Sequence, residues 1–248
     1  MKDRKSFAPG TLVAPVPPAM VTVGDYDNAN VLTIAWTGIL ASTPPKTYIS
    51  VRPSRHSYGI LKEKGEFVIN LPSSSLAREV DFVGIYTGAK MDKFEKCGLT
   101  KRRSENVAPP TIAECPIAIE CRVCQVVPMG SHDVFIADIL SVSCKDSIID
   151  VDGKMHFEKA DLLAYAHGEY YRLGYIVGRF GFSTDKVKKL DKTKKNTEKA
   201  GENAVKTEKQ ASDKKPFYEG APRSKKPKKR PTDKNKGAPH GRRTGGKK

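Results

Sequence analysis

The sequence predicts a mainly β protein, an antiparallel barrel with a few short helices packed outside it, followed by a disordered basic tail. Short apolar or alternating runs recur between clusters of turn-forming residues, and hairpins and tight turns rather than βαβ crossovers join them. Two or three short segments have helical spacing. Beyond about residue 184 the apolar side chains are scattered without a period, which is typical of a segment that cannot bury a core.

The N-terminal strands are predicted from three segments. MVTVGDYDNANVLTIAW indicates two strands, because Gly, Asp and Asn residues between its apolar runs favour a turn. TGILASTPP is rich in Gly, Ser and Pro and is expected to be a connection, whereas KTYISVRP is expected to be a strand. SRHSYGILKEKG is typical of a short helix, with Ser54 or Ser57 as its N-cap and Gly65 as its C-terminal stop. EFVINLP then predicts another strand.

The second half of the domain combines short helices with longer strands. SSLAREVDFVGIYT and MDKFEKCGL each favour a helix, because their apolar residues recur at helical spacing. PIAIECRVCQVVPM and HDVFIADILSVSC predict a strand pair, with the turn between them at residues 130–133. SIIDVD is expected to be a short strand that ends at Gly153. A looser segment leads on to EYYRLGYIVGRFGF.

Charge divides the chain into a predicted domain at residues 1–184 and a predicted disordered tail at residues 185–248. The tail carries 23 Lys and Arg against 8 Asp and Glu, whereas the domain carries 21 against 20. A basic run such as KKPKKR, residues 225–230, favours electrostatic binding to nucleic acid or to an anionic membrane surface. A solvated, solubilising tail explains the same composition, and both interpretations stay open.

Composition also indicates where the protein works. No stretch approaches the roughly 18 apolar residues of a membrane span, and the N-terminus has no signal-type apolar core. Five cysteines without an export signal favour the reducing cytoplasm. Cys121 and Cys124 form a C-x-x-C, but on a strand this spacing places them on opposite faces, so buried free thiols are expected. The five histidines are widely spaced, so no metal centre is expected.

Familiar catalytic motifs are absent from the sequence, which has no G-x-G-x-x-G, Walker loop, H-E-x-x-H or G-x-S-x-G. An enzyme of this composition therefore needs a cofactor. In AWTGILASTPP, small or hydroxylated residues such as Thr37, Gly38 and Ser42 leave main-chain N–H groups open to a flat ligand. RPSRHSYG, residues 52–59, has guanidinium and hydroxyl donors that suit a phosphate. A solvated strand end explains that segment as well.

Six linked segments occur between about Pro9 and Phe182: LTIAWTGILASTPPKTYISVRPSRHSYGIL, GEFVINLP, VDFVGIYTGAKMDKF, ECPIAIECRV, GSHDVFIADIL and GEYYRLGYIVGRFGFS. Together they resemble the flavin reductase-like family, in its flavoredoxin branch. The first and fifth segments are the most specific, because each combines unusual residues in a fixed order. The resemblance implies that the barrel is a split β-barrel of the FMN-binding type and that the protein forms a homodimer.

The resemblance also implies a set of site residues. The isoalloxazine edge and ribityl chain of FMN are expected along Ala35, Trp36, Thr37, Gly38 and Ser42. The FMN phosphate is expected against Ser42, Arg52, Ser54, Arg55, His56 and Ser57. The candidate catalytic residue is His132, near the flavin or the incoming nicotinamide, and the residues expected near the flavin at the subunit contact are Tyr170, Tyr171 and Arg172.

For function, the resemblance implies an FMN-binding oxidoreductase that uses NAD(P)H as a transient co-substrate. Both a flavin or ferric reductase and a flavoredoxin-type electron carrier fit, with electrons leaving to a small-molecule or protein acceptor. The alternative is a flavin-binding or empty barrel that associates with nucleic acid through its basic tail, without redox turnover. A nucleic-acid barrel carries basic residues and exposed aromatics on its sheet, and the near-neutral domain favours the oxidoreductase.

Overall fold

The computed structural model describes residues 3–184 of the 248-residue chain. One compact unit ends at Arg179, and a 3₁₀ turn at Phe182–Thr184 lies beyond that boundary. The tail predicted to be disordered, residues 185–248, lies outside the described residues. The division of the chain at residue 184 therefore stays a prediction.

Strands make up most of the regular structure: β1 (Ala19–Val23), β2 (Asn30–Ile34), β3 (Thr37–Ser42), β4 (Pro45–Val51), β5 (Glu66–Leu71), β6 (Lys101–Arg102), β7 (Thr111–Ile112), β8 (Ile117–Pro128), β9 (Asp133–Cys144), β10 (Leu163–Ala166) and β11 (Glu169–Arg172). The helices of the described residues are α1 (His56–Lys64), α2 (Ala77–Ile85) and α3 (Lys93–Cys97). Other 3₁₀ turns lie at Ser74–Leu76, Asp146–Ile148 and Phe157–Lys159. Within residues 3–184 no helix has the length and apolar character needed to cross a membrane.

A seven-stranded antiparallel sheet in the order β2-β1-β5-β8-β9-β4-β3 forms the barrel. β2 and β3 are the two edge strands, yet only Ala35 and Trp36 separate them in the chain. Because so short a link spans at most about 11 Å, the sheet must curl until its edges meet. The main-chain N–H of Ser50 donates to the carbonyl oxygen of Trp36 at 3.0 Å, which extends the β3–β4 pairing into this link at the seam. The prediction of a mainly β, antiparallel barrel is confirmed.

Strand alternation separates the barrel interior from an outer layer. Val21 and Val23 point inward, where they join a cluster that includes Phe67 and Phe135, all fully buried. Met20, the neighbour of Val21, points outward, because successive side chains of a strand lie on opposite faces. This outer face is covered by apolar side chains of α2 and α3, namely Val80, Val83 and Phe94. The prediction that short helices pack outside the barrel is confirmed for these two.

The first helix lies at one end of the barrel and contributes Leu61 to the interior cluster. It ends at Gly65 as predicted, in the left-handed conformation with φ 64°, which glycine adopts without strain. The prediction that Ser54 or Ser57 is the N-cap is wrong, because the N-cap is Arg55 and no side chain caps the helix. Ser57 instead turns inward in the first helical turn, where its side chain is buried.

Two sequence-based expectations are wrong. TGILASTPP is not a connection, because residues 37–42 form β3 and pair with β4. Its Gly and Ser residues are tolerated because β3 is an edge strand with an irregular register between Ile39 and Ala41. SIIDVD is not a strand, because the Asp150 carboxylate accepts from the main-chain N–H groups of Asp152 and Lys154 and forms a turn. The strand β10 was not predicted, because it lies in the segment that was expected to be loose, whereas β11 lies within EYYRLGYIVGRFGF.

The C-x-x-C behaves as its strand spacing indicates. Cys121 is fully buried in the barrel interior, whereas Cys124 is exposed, and both thiols are free. Burial raises the pKa of the Cys121 thiol to about 12, so that thiol stays protonated at neutral pH. The expectation that both thiols are free is confirmed. The expectation that both are buried is wrong for Cys124, which is exposed at the irregular register of β8 between Val123 and Gln125.

Candidate functional site: a cleft with an aromatic and a cationic end

An elongated cleft opens beside the seam of the barrel. It consists of two adjoining cavities of about 430 and 420 Å³ that share Leu32, Arg52 and Arg55 in their walls. The first, which we call the aromatic compartment, is lined by the side chains of Trp36, His132, Tyr165 and Tyr170, among others. The second, the cationic compartment, is lined by Arg52, Ser54, Arg55, His56, Ser57 and Lys93, among others.

Two aromatic contacts shape the aromatic compartment. The rings of Trp36 and His132 lie 4.6 Å apart between centroids, and those of Tyr165 and Tyr170 lie 5.2 Å apart. The Tyr170 hydroxyl donates to the Asp81 carboxylate at 3.2 Å. Burial, together with Asp81, raises the pKa of Tyr170 to about 12. Tyr170 therefore stays a neutral hydrogen-bond donor at physiological pH, and the compartment offers flat apolar surfaces to a planar ring.

His132 reaches the cleft from the turn between β8 and β9. Gly130 enters this turn at φ 83°, and the main-chain N–H of Met129 donates to the carbonyl oxygen of His132 at 2.8 Å. Nearby, the Tyr58 hydroxyl donates to the Asp133 carboxylate at 2.6 Å and ties α1 to the start of β9. Burial, with the positive charges of Arg52 and Arg55, lowers the pKa of His132. The imidazole is therefore neutral at pH 7 and provides a hydrogen bond without a charge.

The cationic compartment is built around the N-terminus of α1. Arg52 directly follows β4 and Arg55 is the N-cap of α1, so both arginines line the compartment beside the end of the helix where the first main-chain N–H groups have no helical acceptor. Arg55 donates from Nη1 to the carbonyl oxygen of Gly84 at 2.8 Å, which joins α1 to α2. The Ser57 hydroxyl accepts from Nδ2 of Asn30 at 2.7 Å, so its own O–H is free to donate to a ligand.

Lys93 forms the floor of the cationic compartment. Its side chain is 4% exposed, and its ammonium group donates to the carbonyl oxygens of Val31 and Val83, both at 2.8 Å. An ammonium group has three N–H donors, so one is left without an acceptor among residues 3–184. Burial, with a smaller contribution from Arg55, lowers the pKa of Lys93 to about 8. An anion placed in the compartment would accept the remaining N–H and would stabilise the charged form of this amine.

The loop between α2 and α3 closes the cationic compartment and requires a glycine. A Cβ atom at Gly88 would lie 2.2 Å from Oδ1 of Asn30, which is far inside van der Waals contact. The same Asn30 side chain holds the Ser57 hydroxyl. Because Gly88 has no side chain, the loop can pack against the Asn30 amide, which in turn orients the Ser57 hydroxyl, a candidate ligand donor.

Most of the residues predicted for the site line this cleft. Those in the aromatic compartment are Ala35, Trp36, His132 and Tyr170, those in the cationic compartment are Ser54, His56 and Ser57, and Arg52 and Arg55 line both. The cleft thus brings together two segments that lie almost eighty residues apart in the chain, the one around Arg52 and the one around His132.

Five predicted residues lie outside the cleft walls. Thr37 and Gly38 pack against β4, where the Thr37 hydroxyl donates to the carbonyl oxygen of Tyr48 at 2.6 Å. Ser42 lies at the opposite end of β3, paired with Pro45. Arg172 forms an ion pair with Asp161 at 2.6 Å, and the Tyr171 hydroxyl bonds to Glu169. The side chains of Thr37, Tyr171 and Arg172 thus bond to neighbouring parts of the fold, and none of the five residues lines the cleft.

Sequence reasoning missed several cleft residues: Asn30, Asp81, Thr87, Gly88, Lys93 and Tyr165. A signal existed only for Lys93, a lysine placed beside Phe94 on the apolar side of a short helix. Asn30 resembles an ordinary turn residue, because nothing in its neighbourhood in the sequence indicates contact with Ser57. These contacts join distant segments and become visible only in the folded chain.

The arrangement suits an elongated ligand with a planar ring at one end and a phosphate at the other. Aromatic surfaces and a neutral imidazole surround the first end, while guanidinium, ammonium, hydroxyl and main-chain donors converge on the second. Across residues 3–184 there is no group of three or more His, Cys, Asp or Glu side chains placed to hold a metal ion. The fold is a split barrel, and the shape and donors of its cleft suit a phosphorylated ring cofactor.

Comparison with known proteins identifies the family of this split barrel. Residues 13–174 match the sequence model of the Flavin reductase like domain, which is more than half of the chain. The chain belongs to the flavin reductase-like family. Membership of this family supports a flavin-binding oxidoreductase.

Individual relatives agree with this assignment. The structure is similar to the flavoredoxin of Desulfovibrio vulgaris (Miyazaki F), with 34% identity, a TM-score of 0.67, and coverage of 71% of this chain and 96% of that one. It shares its fold with the flavoredoxin of Methanosarcina acetivorans, at 21% identity and a TM-score of 0.69, over 75% and 99% of the two chains. An uncharacterized protein of Archaeoglobus fulgidus is 36% identical over 128 residues, which is 52% of this chain and 72% of that protein.

Proposed function

We propose that this protein binds FMN in the cleft and transfers electrons from NAD(P)H to a small-molecule or protein acceptor. The observation that carries this proposal is the cationic compartment, where Arg52, Arg55 and Lys93 surround the N-terminus of α1 next to an aromatic compartment of suitable shape. A phosphate that carries nearly two negative charges needs such a set of donors. FMN-binding proteins of Thermus thermophilus share the fold, at 21–23% identity.

At the phosphate end, each donor has a separate role. Lys93 offers its remaining N–H from below, and Ser57 donates its O–H from the first turn of α1. Arg52 and Arg55 provide charge from the rim, and Arg55 is held in place by its bond to Gly84. Because the pKa of Lys93 is lowered by burial, a bound phosphate dianion also stabilises the charged form of this amine.

At the ring end, the protein orients the flavin and excludes water. The chemistry that FMN supplies when bound is acceptance of a hydride from a reduced nicotinamide. Trp36 and His132 form one wall, and Tyr165 and Tyr170 form another. The neutral His132 provides a hydrogen bond near the ring without adding charge, and this is the role we propose for it. Hydride transfer needs no general base, so none is assigned.

The electron donor binds transiently in this proposal. The sequence has no dinucleotide-binding glycine motif, so NAD(P)H would place its nicotinamide against the exposed part of the flavin instead of occupying a site of its own. Oxidation of NADH and of NADPH, each measured with and without free FMN and ferric citrate, identifies the donor and separates a reductase from an electron carrier.

We also propose that the protein is a homodimer. Ile39 and Leu40 on the edge strand β3, and Leu140 and Val142 on β9, are exposed large apolar side chains. A concentration of such side chains on a sheet favours association with a second copy. Light scattering on the purified protein tests this, and a mass equal to one chain at micromolar concentration would contradict it.

The experiment that tests FMN binding compares FMN with riboflavin, which lacks the phosphate. Purified full-length protein should be yellow, and the apoprotein should bind FMN more tightly than riboflavin. Arg55→Ala is expected to weaken FMN binding by about tenfold or more, because a charge-assisted hydrogen bond contributes roughly 1.5–3 kcal/mol. The same change should leave riboflavin binding nearly unaltered.

Arg78→Ala is the matched control, since Arg78 is an exposed arginine on α2 that does not line the cleft. A colourless protein that does not bind added FMN would refute the proposal. Equal effects of the two arginine variants would show that the phosphate does not bind in the cationic compartment.

A further inference from the structure

A third cavity, of about 370 Å³, lies directly beside the aromatic compartment. We call it the outer chamber. Trp36 and Tyr165 line both cavities, so their rings form a shared wall. The remaining lining includes Leu12, Val13 and His167. A ligand in the outer chamber is therefore next to the position proposed for the flavin ring, without overlapping the phosphate site.

The chamber is formed by elements that are fixed on two sides. Val16 and Tyr165 exchange both main-chain hydrogen bonds, at 2.9 and 2.8 Å, which pins the N-terminal segment to β10. On the other side, His167 (φ 47°) and Gly168 (φ 100°) form the two-residue turn between β10 and β11. Such a turn holds the hairpin tightly, because both of its central residues adopt positive φ. Main-chain hydrogen bonds therefore hold the chamber wall at Val16 and at the β10–β11 hairpin, whereas Leu12 and Val13 are exposed.

The chemistry of the chamber differs from that of the cleft. Among the described residues that line it there is no Lys, Arg, Asp or Glu, and His167 is the one titratable imidazole. Its walls are aliphatic on the side of the N-terminal segment and aromatic at Trp36 and Tyr165. A diphosphate or a ferric citrate anion would lose hydration there without gaining a counter-charge. A neutral planar ring instead gains contact with two aromatic faces.

We propose that the outer chamber binds a neutral planar electron acceptor of the quinone class. This inference rests on the proposed function, because the reduced flavin supplies the electrons. Overall, NAD(P)H, one proton and the quinone give NAD(P)⁺ and the hydroquinone, so two electrons and two protons reach the acceptor. The hydride of NAD(P)H and a proton from water account for both hydrogen atoms, and no other co-reactant is needed.

The test is a calorimetric titration of full-length protein with menadione, a neutral naphthoquinone. Ala14→Phe places a large side chain in the chamber wall, and Ala8→Phe makes the same change at an exposed position of the same segment outside it. Menadione is expected to bind wild-type protein and Ala8→Phe equally, with or without FMN, and to bind Ala14→Phe about tenfold more weakly or worse. All three proteins should bind FMN equally, and ferric citrate should not compete with menadione.

Two results would overturn the inference. One is equal menadione affinity in Ala14→Phe and wild-type protein, and the other is loss of menadione binding when FMN is added, which would place the quinone in the cleft. Failure of the proposed function has a different signature. In that case FMN does not bind any of the three proteins, while the titration of menadione into the apoprotein still decides whether the chamber binds a planar ring.

Discussion

Lys93 shows how a single buried charge prepares a ligand site. Its ammonium group is held by the main-chain carbonyl oxygens of Val31 and Val83, and within the described part of the chain it forms no ion pair with a carboxylate. Carbonyl dipoles only partly replace the lost hydration, which is why burial lowers the pKa of this amine to about 8. In the proposed function this lysine is the anion receptor, and the cost of its desolvation is borne during folding rather than at binding.

Replacing Lys93 by Met is expected to separate phosphate recognition from folding. Methionine fills a similar volume and leaves no buried charge, so thermal stability should be unchanged or higher. FMN affinity should fall by about tenfold or more, because a charge-assisted hydrogen bond is lost, while riboflavin affinity stays nearly constant. Lys96→Met, at an exposed position of the same helix, is the matched control. Parallel losses of FMN and riboflavin binding would instead indicate collapse of the cleft.

A second residue-scale feature is the His156 imidazole, which lies between two carboxylates. Its Nε2 bonds to Asp150 at 2.7 Å and its Nδ1 to Glu158 at 2.8 Å. These partners raise the pKa of His156 above its ordinary value of 6.5, and His156 in turn lowers the pKa values of both carboxyl groups. The histidine contribution to stability is therefore complete below pH 6.5 and is lost as pH rises through the raised value. The carboxylate contributions are lost only at acidic pH.

His156→Gln is expected to remove this pH dependence. Denaturant unfolding of the wild-type protein and the variant should show the largest stability difference between about pH 4.5 and 6.5, and that difference should shrink at higher pH. The expected sign follows from the stabilisation of the protonated imidazole in the folded state. A difference that grows as the pH is raised above neutrality would contradict the assignment of His156 as a cation held by Asp150 and Glu158.

At the scale of elements, the loop between α2 and α3 links packing to ligand binding. Gly88 lies against Asn30, and Asn30 holds Ser57 in the first turn of α1. Three segments from different parts of the chain thus meet at one small contact. A change in the loop should therefore reach the phosphate site without altering any residue proposed to touch the phosphate.

Gly88→Ala tests this coupling. The added methyl group would collide with the Asn30 amide and displace it, so stability should fall by about 1–3 kcal/mol and FMN affinity should fall as well. Gly59→Ala is the control, since Gly59 lies on α1 with open space around it. That change should raise stability by up to about 1 kcal/mol, because alanine favours a helix over glycine. Unchanged FMN binding in Gly88→Ala would show that Asn30 does not orient the site.

The elements that the sequence predicts correctly are those whose own pattern specifies them. The apolar strands β1, β2, β4, β5, β8 and β9 were expected, as was α1 with its terminal Gly65. β3 was not, because its Gly and Ser composition is typical of a connection and only pairing with β4 makes it a strand. The same limit applies to the site, where Arg52 and His132 were identified from linked motifs, whereas Asn30 acquires its role from a contact with a distant residue.

At the scale of the whole molecule, charge and site occupy different parts of the sequence. Among residues 3–184, those that line the aromatic and cationic compartments lie between Pro18 and Tyr170. Most of the net charge of +16 comes from residues 185–248. Whatever the tail binds, the residues proposed to hold FMN are all supplied by the barrel and its helices.

Because the residues proposed to hold FMN lie outside this segment, removal of residues 185–248 is expected to leave FMN affinity unchanged within about twofold. A twofold change corresponds to a binding free energy difference below about 0.5 kcal/mol. If the full-length protein binds nucleic acid or anionic vesicles, this binding should weaken steeply as the salt concentration rises. The truncated protein should not show it. Measurements of both affinities on the two proteins make this comparison. A truncated protein that no longer binds FMN would mean that the tail contributes to the site.

The closure of the barrel at Ala35 and Trp36 has an optical consequence. Trp36 is the only tryptophan of the chain, and it stands at the seam, against His132, between the cleft and the outer chamber. Tryptophan fluorescence therefore reports on this one position, without an added label and without emission from a second indole. A flavin on one side of that ring would quench its emission by energy transfer, and release of the flavin would restore it.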